Sequence, residues 1–169
     1  MNVSVLWMTT LLVAGTPVAA AVAAGLPGVR PLAERIEEQA RQDERLAGTR
    51  VFVAAERGDV VLSGTVRLYS QKLRYEQIAW QTAGVRDVEN EIRVVPLMPV
   101  DDAEIERQVI GILHTSRRFH GASIRVEVTG GFVRLTGTFH DPADVLFLKH
   151  LVAEIEGVVD MEITARFQA

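Results

Sequence analysis

The chain has no cysteine. A disulfide framework and a thiolate-bound metal are therefore both excluded. Positive charge is not in excess: 18 Lys and Arg stand against 22 Asp and Glu, for a formal charge of −4. Attraction to nucleic acid through bulk charge is not expected. Residues 31–95 carry ten basic and eleven acidic side chains, and residues 101–169 carry seven and eleven, so any basic surface has to be local. Signs of catalysis are equally scarce. There is no G-x-S-x-G elbow, and the glycine-rich turns lack the spacing of a phosphate loop. Ser63 and Ser70 lie in a half of the chain without histidine. The four histidines, His114, His120, His140 and His150, include no tight ligand pair and read as surface residues, not a metal site. Neither an enzyme nor a cofactor is expected.

What the chain does have is a nine-residue stretch that occurs twice. Gly58 to Val66 reads GDVVLSGTV, and Gly131 to Phe139 reads GFVRLTGTF. Val60, Leu62 and Val66 alternate in the first, and Val133, Leu135 and Phe139 in the second, the pattern of a strand with one face in a core. Each copy begins at a glycine suited to a hairpin turn. Each also holds a glycine inside the strand, Gly64 and Gly137, which marks a bulge or a close approach by another element.

An offset of 73 positions aligns Leu32–Val94 with Ile105–Phe167 without a gap. Leu32, Ile36 and Ala40 match Ile105, Val109 and Leu113 at the spacing of one helix face. Gly48 and Gly121 follow, where a helical C-cap favours glycine. Val51, Val53 and Ala55, matched by Ile124, Val126 and Val128, make a strand that the Arg57-Gly58 and Gly130-Gly131 turns join to the nine-residue stretch. A second helix is built on Tyr75, Ile78, Ala79 and Thr82, or on Leu148, Leu151, Val152 and Ile155. The latter opens with Asp141 as N-cap and Pro142 at the first helical position. Both end at a Gly-Val pair, Gly84-Val85 and Gly157-Val158. Val88, Asn90, Ile92 and Val94, or Met161, Ile163, Ala165 and Phe167, form a last strand. The expected fold is α+β: two tandem α-β-β-α-β repeats, each a three-stranded sheet covered on one face by two helices. The repeats span residues 31–95 and 101–169, and the proline-flanked linker 96–100 is short enough to restrict their mutual orientation.

Residues 1–28 carry no charged side chain. Val3–Val13 is mostly apolar, and Ala19-Ala20-Ala21 and Ala21-Val22-Ala23 fit a small-x-small cleavage signal. Residues 1–23 thus read as a secretory signal peptide, with periplasmic or secreted location. The alternative is an uncleaved anchor, since Val3–Ala24 is just long enough to span a membrane.

The element order, VVLSGTV at Val60–Val66 and GVRDVEN at Gly84–Asn90 resemble the BON domain, a family found in exported bacterial envelope proteins, among them an osmotically inducible periplasmic protein with two copies. The second repeat keeps VRLTGTF and Gly157-Val158 but has Ile163 where the family usually has asparagine. The resemblance covers nearly all of the chain beyond the leader. It implies binding, to phospholipid membranes or to other envelope proteins, and no catalysis.

Two surfaces are candidates for that binding. On a helical wheel, Arg107, Ile110, His114, Arg117 and Arg118 fall opposite the core stripe of the first helix of repeat two. The same face in repeat one holds Glu34, Glu37, Arg41, Glu44 and Arg45. A basic face with one apolar residue suits an anionic headgroup, whose phosphate a guanidinium grips bidentately. A solvated face with Glu104 and Arg107 paired is the plainer reading. The second surface is Tyr69, Leu73 and Trp80, a narrow arc on the second helix of repeat one. It suits burial between the repeats or in a homo-oligomer, a membrane interface, or a protein partner in an interaction or chaperone-like periplasmic role.

If the leader is cleaved as its small residues indicate, N-terminal sequencing of exported material should find the mature chain starting at Val22 or Ala24. Recovery of the intact chain in membranes alone would establish the anchor instead.

Overall fold

The structure, a computed structural model, describes residues 30–167. The leader and its cleavage site lie outside the described residues. Each repeat runs helix, strand, strand, helix, strand. In repeat one these are α1 (Leu32–Gln42), β1 (Arg50–Glu56), β2 (Asp59–Val66), α2 (Tyr69–Gln81) and β3 (Asp87–Val94). In repeat two they are α3 (Asp102–Thr115), β4 (Ser123–Thr129), β5 (Phe132–Phe139), α4 (Pro142–Ala153) and β6 (Asp160–Phe167).

The nine-residue stretch is the central strand of each sheet. β2 pairs antiparallel with β1 and parallel with β3; β5 does the same with β4 and β6. The antiparallel partner precedes the central strand and joins it through a two-residue turn with both residues at positive φ, Arg57 and Gly58 in one repeat and Gly130 and Gly131 in the other. That geometry matches the twist of the flanking strands. The parallel partner needs a crossover, which α2 and α4 supply.

Both helices of a repeat lie on one face of its sheet. Ile36, Ala40, Tyr75, Ile78 and Ala79 meet Val60, Leu62, Val66 and Ile92 in the first core. Ile105, Val109, Leu148, Val152 and Ile155 meet Val133, Leu135 and Phe139 in the second. Asn90 sits on the helix side of β3, where its amide donates to the Lys72 carbonyl at 3.3 Å and to Glu76 at 3.0 Å. Ile163, at the matching register, packs in the second core instead.

Gly64 and Gly137 mark a close approach. A Cβ on Gly64 would lie 2.1 Å from the Arg50 carbonyl oxygen, and one on Gly137 would lie 2.3 Å from that of Ser123. Backbone atoms occupy the space, so no rotamer of a neighbour could relieve the clash.

The helix ends differ from expectation. Gly48 and Gly121 do not cap α1 and α3, which stop at Gln42 and Thr115. In each case an extended residue, Asp43 or Ser116, leads into a single 3-10 turn, Glu44–Leu46 or Arg117–Phe119. The turn carries Leu46 or Phe119 into the core, and the left-handed glycine ends the turn. Burial of one more large side chain outweighs continuation of the helix. In repeat one Asp43 stabilises the break, accepting from the Arg45 amide at 3.1 Å and from the Arg74 guanidinium of α2. Burial alone would raise its carboxyl, but the bonds from Arg74 and Arg45 prevail and hold it at about 2.

The glycine constraint predicts opposite results at two sites. Gly137→Ala should cost about 3 kcal/mol, because the added carbon overlaps backbone. Gly111→Ala, in α3 with nothing within 4 Å of the new carbon, should instead stabilise by about 1 kcal/mol. Urea unfolding midpoints at constant slope will measure both.

Candidate binding groove

In each repeat the first helix does not fully cover the edge strand beneath it, and a groove is left between them. The groove of repeat two has a volume of about 720 Å³ and that of repeat one about 430 Å³. They are built from matching positions. Ile110, Leu113, His114, Phe119, His120, Ala122, Ile124 and Val126 line the larger, and Glu37, Ala40, Arg41, Leu46, Ala47, Thr49, Val51 and Val53 the smaller. Repeat one therefore puts Glu37 and Arg41 where repeat two has Ile110 and His114. The larger groove is apolar along its floor, with Glu106 toward one end and His114 and His120 toward the other. Glu106 and His114 are eight residues apart, about 12 Å along a helix axis.

The arginines are placed otherwise than the helical wheel implied. Arg117 and Arg118 are not on the α3 face, because the helix ends at Thr115 and both belong to the 3-10 turn. Arg118 turns toward α4, where it pairs with Asp144 at 3.0 Å and lies 4.8 Å above the Phe147 ring centre. Arg107 pairs with Glu104 along its own helix. Arg117 has no ion pair among the described residues. Of the expected residues, only Ile110 and His114 line the groove; His120 joins them unforeseen. A signal for this region was present in the sequence: Arg107–Val126 contains four arginines, two histidines and no carboxylate. Among the described residues no group of three His, Asp or Glu could hold a metal ion. No described helix is long and apolar enough to cross a membrane.

The Tyr69, Leu73 and Trp80 arc does not act as one stripe. Tyr69 leaves its own repeat and is 6% exposed in the core of repeat two, with Leu73 packed beside it. Burial first, then the carboxylates of Asp160 and Glu76, push its phenol well above the ordinary value. Glu156 tightens the same junction, accepting from the Leu97 amide at 2.8 Å and pairing with Arg67 at 3.5 Å. Trp80 lies farther along α2 and stays 50% exposed. With Leu73, Leu146, Lys149 and His150 it borders a smaller groove of about 270 Å³ between α2 and α4. The arc divides because Tyr69 stands at the N-terminal end of α2, next to the linker, whereas Trp80 is three turns away.

Residues 29–96 and 101–165 each match the BON domain family. The chain is 27% identical over 113 residues to the uncharacterized protein in the gshII 5′ region of Anaplasma centrale, covering 64% of this chain and 75% of that protein. Among solved structures, it is similar to CdsD, a structural protein of the type III secretion system of Chlamydia trachomatis. The identity is 13% and the TM-score 0.29, over 80% of this chain and 91% of that one. The C-terminal domain of CdsD is similar at 17% identity and a TM-score of 0.29, over 79% of this chain and 64% of that one.

Since Tyr69 seats one repeat on the other, the two should unfold in a single calorimetric transition. Tyr69→Ala should remove about 3 kcal/mol of packing and split that transition in two. Tyr69→Phe, which keeps the ring, should leave it single.

Proposed function

As this chain belongs to the BON-domain family, with two copies in tandem, we propose that it is an exported envelope protein that binds anionic phospholipid through one end of repeat two. BON domains are associated in general with phospholipid and envelope binding. The observation that carries the finer reading is the carboxylate-free stretch Arg107–Val126, which folds into α3, the 3-10 turn and β4 around the larger groove. In a chain of net charge −4, it brings His114, His120 and the Arg117 turn together beside exposed Ile110, while Arg118 turns to α4 and Arg125 lies on the opposite face of the sheet.

The ion pairs rank the residues. A basic side chain near an anionic bilayer contributes about 1 kcal/mol when its charge is available. Arg117 meets that condition. Arg107 and Arg118 share their charge with Glu104 and Asp144, so each gives less. Ile110 is partly exposed between them and supplies an apolar contact. The action is binding without catalysis, after export by cleavage of residues 1–23 or with that segment retained as an anchor. A second reading rests on Trp80 and Leu146, 50% and 61% exposed beside Lys149. That groove suits another envelope protein or a second copy of this chain.

Co-sedimentation with phosphatidylcholine vesicles, with and without phosphatidylglycerol, tests the reading. Binding should require phosphatidylglycerol and weaken with salt, since exposed charges are screened over about 8 Å at physiological ionic strength. Arg117→Ser alone should lower affinity about fivefold, and the triple change at Arg107, Arg117 and Arg118 by at most about a hundredfold. A folded triple variant that sediments like the wild type would rule out this surface.

A further inference from the structure

We infer that the groove between α3 and β4 takes one acyl chain of an anionic lipid, so that repeat two engages single lipid molecules as well as the bilayer surface. The inference rests on the proposed function and adds the ligand's second half to it. The floor of the groove is hydrocarbon: Ile110, Leu113, Phe119, Ala122, Ile124 and Val126. No described side chain fills it, although its volume of about 720 Å³ exceeds that of the matching site in repeat one by more than half.

Charge along the groove orients the occupant. His114 and His120 stand at the end next to the Arg117 turn, and Glu106 stands about two helical turns away. A phosphate is attracted to the first end and repelled from the second, so the chain it carries runs along the apolar floor from the histidines toward Glu106. Repeat one shows the contrast. Its groove places Glu37 where Ile110 would meet the chain and Arg41 in place of His114, and a buried methylene run could not cover either without desolvating a charge. Two grooves of one architecture thus differ at the positions where an amphiphile would read them.

Dihexanoylphosphatidylglycerol, kept below its micelle concentration, is the probe, titrated near pH 6 with methyl resonances as the readout. One molecule should bind per chain, shifting the methyls of Ile110, Leu113 and Ile124 and leaving those of Val51 and Val53 in repeat one in place. Affinity should rise about fourfold for each step that lengthens both chains by one methylene, from dibutanoyl to dihexanoyl, since one chain enters the groove. Glycerol phosphate, with no chain, should not move these methyls. Ala122→Thr keeps the charge and introduces a polar side chain where repeat one already carries Thr49. It should lower the affinity for the soluble lipid about tenfold, with a far smaller loss in sedimentation with phosphatidylglycerol vesicles. Vesicle binding without any chain-length dependence would overturn the groove inference and leave surface adsorption standing. Loss of vesicle binding as well would overturn both. Methyl shifts that track protein concentration and ignore lipid would give the groove to a second copy of the chain and overturn the inference too.

Discussion

At Gly64 and Gly137 the edge strand of each hairpin comes closer to the central strand than any side chain would permit. The rest of each repeat is arranged around that contact. The edge strand can lean over the sheet only where the central strand has no side chain, and at Gly137 the vacated volume faces the Ile124 side chain of β4. Ile124 then forms part of the groove floor beneath α3. The same glycine that brings the strands together therefore shapes the surface that carries the proposed function.

The two repeats share this frame and have diverged around it. Central strands, crossover helices and the left-handed Gly84 and Gly157 agree position for position. What differs is polar chemistry: Asn90 ties β3 to α2, whereas Ile163 joins a core, and Glu37 and Arg41 face Ile110 and His114 across the alignment. Repeat one also gives up a buried aromatic, since Tyr69 completes the core of its neighbour. One repeat thus acts as a support that seats the other, and the second presents the larger apolar groove. Among the described residues the larger groove is lined by repeat two alone, whereas the junction is formed by Tyr69, Leu73 and Arg67 of repeat one with Glu156 of repeat two.

Much of the fold was legible in the chain because backbone periodicity and core burial act locally. Alternation at Val60–Val66, four-residue spacing at Ile36 and Ala40, and the Asp141-Pro142 entry each specify an element from neighbours a few residues away. The 73-residue offset then fixed the architecture twice over. Of the candidate groove, only Ile110 and His114 were legible in the chain, because the wheel carried the helix past Thr115 to Arg117 and Arg118.

What the linear chain determined was therefore composition and period: two α-β-β-α-β units, an acidic balance, and a local run without carboxylates. Only the tertiary structure decided how those charges are used. Whether Arg118 faces water or Asp144 depends on α4, 26 residues away in sequence, and whether Phe119 turns inward depends on the volume left by the completed core. The same holds for Tyr69, whose stripe-like spacing on α2 does not say that a second repeat will cover it. Ion pairing and packing depend on proximity in space, and proximity in space exists only after the elements have met.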